Sequence, residues 1–135
     1  MIKLKDILLE GKPPTIFVPR RIEGRIERMI KIYIRNGNKG NLSLIGLHLT
    51  ELPVLLKDIS VDGHFICRYN KLTSLINAPS SVGGYFDCSY NELTSLEDAP
   101  KSVGGDFYCT DNPVKFTEKQ VRTVCDVKGT VYLYD

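Results

Sequence analysis

The sequence predicts an α+β repeat protein: a short solenoid of about four coils built around a parallel sheet, with a helical cap at its N-terminal end and a helix–strand cap at its C-terminal end. Three observations carry that prediction. Residues 61–114 repeat themselves at a step of 21, through Phe65, Phe86 and Phe107, then Cys67, Cys88 and Cys109, then Asn70, Asn91 and Asn112, with Gly63, Gly84 and Gly105 in phase. Within each copy apolar and polar residues alternate over a few positions, the pattern of a strand with one buried face. Helical periodicity occurs only outside the repeat.

The elements follow in order. Residues 1–19 form an N-terminal arm carrying Ile2, Leu4, Ile7, Leu8 and Leu9, then Pro13, Pro14 and Ile16–Pro19. Residues 20–38 hold the capping helix, with Ile22, Ile26, Met29, Ile30 and Tyr33 at helical spacing and Gly37 as its stop. The solenoid spans 39–116. Its first copy, 39–52, is degenerate and aligns with 62–75 at a step of 23, the two extra residues falling in the connection 53–60. In a regular copy, Gly83-Gly84 turns the chain into the strand, Phe86 and Cys88 point inward, and Asn91 ends the strand. Leu93 and Leu96 then point inward, and Ala99-Pro100 leads an extended return to the next coil. Residues 117–135 form the C-terminal cap. Thr117 and Gln120 make a capping-box signature for a short helix at 118–125, and Gly129 precedes an alternating strand, Thr130–Tyr134. The four segments make one domain, since one coil cannot bury its apolar face alone.

Composition narrows the function. The chain has 135 residues, 25% charged and 42% hydrophobic, and no apolar run long enough to span a membrane. Charged residues interrupt residues 1–10, so a signal peptide is not expected and the location read from the sequence is cytoplasmic, with reduced thiols. The net charge of +2 conceals an asymmetry: residues 1–41 hold ten Lys/Arg against four Asp/Glu, and residues 42–135 hold eight against twelve. Cysteines lack the C-x₂-C spacing of zinc sites, and three share one inward column, which makes them small buried hydrophobes. Cys125 falls in the C-terminal cap without an assigned role. The asparagine column is expected to turn inward and hydrogen-bond the neighbouring backbone. No G-x-S-x-G, H-E-x-x-H or phosphate-binding loop is present, and the two histidines lie in different columns. The reading is a non-enzymatic protein with no metal and no cofactor.

The pattern F-x-C-x-x-N-x-L-x-x-L resembles the leucine-rich repeat consensus, with Phe and Cys at two of the leucine positions. The 21-residue period and the connection A-P-x-S-V-G-G resemble the short bacterial and bacteriophage type. The phrases KLKDIL, IFVPRR and GNKGNL also resemble the N-termini of uncharacterised leucine-rich-repeat proteins of tailed phages. These resemblances imply a leucine-rich-repeat solenoid of viral origin, acting in the host cytoplasm, and imply no activity.

Residues on the outer face of the sheet vary while the core columns repeat, which is how a binding surface on a repeat scaffold reads. The expected partner-binding residues are His64, Ile66, Arg68, Tyr69, Tyr85, Asp87, Tyr90, Asp106, Tyr108 and Asp111. Tyrosine and arginine are the residues that anchor protein interfaces. The expected function is therefore protein–protein interaction, with a host factor, inhibited or redirected, as the partner implied by the phage resemblance. The alternative is nucleic-acid association through the basic residues Lys12, Arg20, Arg21, Arg25, Arg28 and Arg35. A sheet face of roughly 200 Å² is small against the roughly 800 Å² of a standard interface, so either the complex is weak or residues 1–19 add contacts, on the partner or on a second copy of the chain, the alternative being that this arm folds back over the N-terminal cap.

Overall fold

The computed structural model describes residues 20–134. Helix α1 (Arg20–Arg35) comes first. Nine short strands follow: β1 (Leu42–Ser43), β2 (Ser60–Val61), β3 (Phe65–Ile66), β4 (Ser81–Val82), β5 (Phe86–Asp87), β6 (Ser102–Val103), β7 (Phe107–Tyr108), β8 (Asp126–Val127) and β9 (Val131–Tyr132). A 3₁₀ turn (Val54–Leu56) lies between β1 and β2, and helix α2 (Glu118–Val124) between β7 and β8.

The strands form two parallel sheets. The front sheet has the order β1-β3-β5-β7-β9, and the back sheet β2-β4-β6-β8. Registers follow the sequence repeat: Leu42 faces Phe65, Phe65 faces Phe86, and Phe86 faces Phe107. Each coil thus contributes one front and one back strand, a repeat-like parallel-strand solenoid. The step of 23 between the first two copies holds at β1–β3, and the 3₁₀ turn occupies the connection where the two extra residues were expected.

Two features differ from expectation. The return segment is not a plain extended connection. It pairs into the back sheet, because Val61, Val82, Val103 and Val127 drop into the core at one position per coil. The glycine pairs also have another cause. Gly83 and Gly84 keep ordinary φ values, but a Cβ on Gly83 would stand 2.2 Å from the Asp62 carbonyl oxygen. The requirement is close stacking of successive coils. It continues as a backbone ladder in which Gly84 N–H donates to Gly63 O (2.8 Å) and Gly105 N–H to Gly84 O (2.9 Å).

The core lies between the sheets. Phe65, Phe86 and Phe107 are fully buried, their ring centroids 5.8 and 5.1 Å apart. Burying each contributes roughly 1.5–3 kcal/mol. Cys67, Cys88, Cys109 and Cys125 are free and buried, and burial pushes the Cys109 and Cys125 thiols up to about 12. Asn91 turns inward as expected. Its Nδ2 donates to Cys67 O (3.0 Å), Cys88 O (3.1 Å) and Ser89 O (3.2 Å), and its Oδ1 accepts from Leu72 N–H (3.1 Å). Asn70 and Asn112 repeat the arrangement, with Asn70 Oδ1 accepting from Leu47 and Leu49 N–H at 3.0 and 2.9 Å. Ile26, Ile30 and Tyr33 of α1 join the core beside the first coil. The α2 N-terminus carries the predicted capping box, Gln120 N–H donating to Thr117 Oγ1 and Thr117 N–H to Gln120 Oε1. Among the described residues no helix is long and apolar enough to cross a membrane.

Candidate functional site

The front sheet places the variable residues of successive coils side by side, because in-register parallel strands lie about 4.8 Å apart. In the first outward column, side chains are spent on the next coil. Asn41 Oδ1 accepts from His64 N–H (2.8 Å), His64 Nδ1 from Tyr85 N–H (2.9 Å) and Asp106 Oδ1 from Thr130 N–H (2.8 Å). His64 accepts through Nδ1, so that nitrogen is unprotonated. His64 and Asp106 are half-buried and partly structural.

Above this ladder the rings form two rows. His64 stacks on Tyr85 at 3.8 Å, Tyr85 meets Tyr108 edge-on at 5.6 Å, and Tyr108 stacks on Tyr132 at 4.6 Å. The second row is Tyr69 on Tyr90 at 4.5 Å, with the Arg68 guanidinium carbon 4.8 and 5.5 Å from their ring centroids. Each aromatic pair contributes about 0.5–1.5 kcal/mol beyond its burial. Stacking uses the ring faces and leaves edges and hydroxyls for other contacts. Burial, then the neighbouring Asp106 carboxylate, raises the Tyr108 hydroxyl pKa, so that hydroxyl stays a neutral donor at physiological pH.

Tyr69 and Tyr90 sit at φ +59° and +56°, in the left-handed region, and Gly46 and Asp111 share that conformation at the equivalent positions of the first and last copies. A non-glycine residue there costs roughly 1–2 kcal/mol, least for Asn and Asp. The fold therefore demands the conformation but not the ring. Asp111, exposed, is the cheaper solution on the next coil.

Asp87 corrects the sequence reading. It was expected on the open face, yet it is 5% exposed. Its Oδ1 accepts from Ser89 N–H of its own coil at 3.0 Å and its Oδ2 lies 3.4 Å from Arg68 Nη1 of the preceding coil, so the carboxylate lies against the sheet. Ser89 and Thr110 are buried too, with Ser89 Oγ accepting from Thr110 N–H (3.0 Å). Tyr69 is 51% exposed, and Ile66, Arg68, Tyr85, Tyr90 and Tyr108 are half-buried. Tyr132 was missed as a member of the surface. Its strand lacks the Phe-x-Cys signature, and the usable signal was Gly129 standing before it as Gly105 stands before Phe107.

Of the basic residues, Arg25, Arg28 and Arg35 are exposed on α1. Arg20 and Arg21 begin the same helix. Lys12 and the proposed contacts of the arm, 1–19, lie outside the described residues. Among the described residues no cluster of three or more His, Cys, Asp or Glu is placed to hold a metal ion. No protein family, curated protein or solved structure matches this chain.

Proposed function

We propose that this is a small leucine-rich-repeat protein, capped by α1 and by α2 with β9, whose front sheet face binds another protein. The observation that carries the reading is the pair Tyr69 and Tyr90: large rings kept at backbone positions that disfavour them, on a face where Arg68, Tyr85, Tyr108 and Tyr132 supply further interface-type side chains. Five front strands span only about 19 Å, so the sheet alone remains smaller than a standard interface and the complex draws on neighbouring segments or is weak. The resemblance of the N-terminal phrases to tailed-phage proteins makes a bacterial host protein the partner to look for. Immobilised full-length protein should retain a stoichiometric partner from bacterial lysate, identified by mass spectrometry, and Tyr69→Ala with Tyr108→Ala should lose it. Retention unchanged by those substitutions contradicts the reading.

A second reading has its own observation. Arg28, Lys31 and Arg35 are exposed at helical spacing on one side of α1, an arrangement suited to phosphates. Binding to duplex DNA or RNA that weakens steeply with salt and is lost in Arg28→Ala with Arg35→Ala favours it. Salt-insensitive or absent binding removes it.

A further inference from the structure

Among the described residues of the front face, Arg68 carries a buried nitrogen without an acceptor. The rings of Tyr69 and Tyr90 hold its guanidinium in place, but its hydrogen bonds are poor. Nη1 is 3.4 Å from Asp87 Oδ2 and Nη2 is 3.5 Å from the Tyr69 hydroxyl, while Nε is buried with no acceptor among the described residues. A charge-assisted N–H···O bond normally closes to about 2.7–2.9 Å. Asp87 is already tied through Oδ1 to Ser89 N–H, which limits how far it can turn toward the arginine. The result is a cation oriented by two rings, 35% exposed along its side chain, with five donors and, among the described residues, only two long contacts.

At 3.4 Å the ion pair leaves the guanidinium donors weakly engaged, and an apolar pair would stabilise such a site at least as well. A planar fork with spare donors matches a carboxylate. The nearby negative groups decide between anions. Asp87 and, one coil on from Tyr90, Asp111 repel a phosphate dianion more than they repel a single carboxylate. The Tyr69 hydroxyl beside the fork adds a polar group to the site.

We propose that Arg68 is the receptor for an Asp or Glu side chain of the partner, which docks on the exposed edge of the guanidinium between the two tyrosine rows. This rests on the protein-binding reading above and names the chemistry its partner presents.

The test uses a displayed library of random peptides panned on the full-length protein, with the enriched sequences synthesised and their affinities measured by fluorescence anisotropy. Enriched peptides should share an acidic position, and replacing it by its amide should weaken binding about tenfold or more. Arg68→Lys should weaken it less than Arg68→Met. Because Arg68→Met alone strands a buried carboxylate and can unfold the chain, the double variant Arg68→Met/Asp87→Asn is the decisive one, and it should bind at least about tenfold more weakly than wild type. Asp87→Asn alone removes the internal competitor and should tighten binding by about threefold or more. Peptides that lose affinity in Tyr69→Ala and Tyr108→Ala but share no acidic residue, or that bind the double variant as they bind wild type, overturn the carboxylate inference and leave the protein-binding reading intact. Peptides indifferent to every front-face substitution, or no binder at all, count against both.

Discussion

Asn91 joins two coils at once, with carbonyls on both sides held by one amide group and the Leu72 N–H bound to its oxygen. Removing it strands buried backbone groups, so Asn91→Ala should cost about 1–3 kcal/mol, whereas the exposed change Glu92→Ala should stay within about 0.5 kcal/mol. Urea midpoints for the two variants check this, and equal midpoints contradict it. That column was legible because a buried amide must find partners wherever it recurs. Asp87 was not, because alternation assigns a side to a side chain but does not say that a carboxylate will fold back onto Ser89 N–H. The thiols make a second prediction at this scale. Burial raises the Cys67, Cys88, Cys109 and Cys125 thiol pKa values above the ordinary 9.0, Cys109 and Cys125 to about 12. An acid whose folded pKa is raised stays protonated while the unfolded chain ionises. Its stabilisation is complete below about pH 9 and is lost as pH rises through the folded values. The urea midpoint should fall from about pH 9 upward, and Cys88→Ala should reduce the dependence on pH. A slope identical in Cys88→Ala and wild type would place the alkaline loss elsewhere.

Elements differ in how they tolerate one added methyl group. A Cβ at Gly104 would stand 2.3 Å from the Gly83 carbonyl oxygen, a backbone atom that cannot step aside without moving a coil. Gly104→Ala should destabilise by about 1–3 kcal/mol. Gly24 lies in α1 with nothing among the described residues within 4 Å of a Cβ, so Gly24→Ala should stabilise by about 0.5–1 kcal/mol. Thermal unfolding of the two variants should move in opposite directions, and a Gly104→Ala protein as stable as wild type would contradict the stacking argument. The glycines were legible as a repeat, but their reason was not. A recurring Gly-Gly before a strand reads as a turn, and only the distance between coils shows that it is a packing requirement. The back sheet was hidden for a related reason: two-residue strands are too short to show alternation, and only the constant Ser-Val step hinted at them.

The whole molecule divides into a constant and a variable part. Phenylalanine, cysteine, asparagine and valine recur along the core, and the same 21-residue clock sets down histidine, tyrosine, arginine and aspartate on the front face. The solenoid was legible because periodicity constrains every column together. The front face was legible only as a list of positions, since its stacking, the Arg68–Asp87 contact and the fifth strand with Tyr132 depend on geometry between coils. Hot-spot truncations typically cost 2 kcal/mol or more, about thirtyfold in affinity, while changes outside an interface cost little. The most direct test is therefore the affinity of the captured partner for Tyr69→Ala, Tyr85→Ala and Tyr108→Ala on the front face and for Ser60→Ala and Ser81→Ala on the back sheet, each shown to be folded. The front variants should bind at least about tenfold more weakly and the back variants within about twofold of wild type. Affinity lost equally on both faces, or retained in all three front variants, would contradict the account.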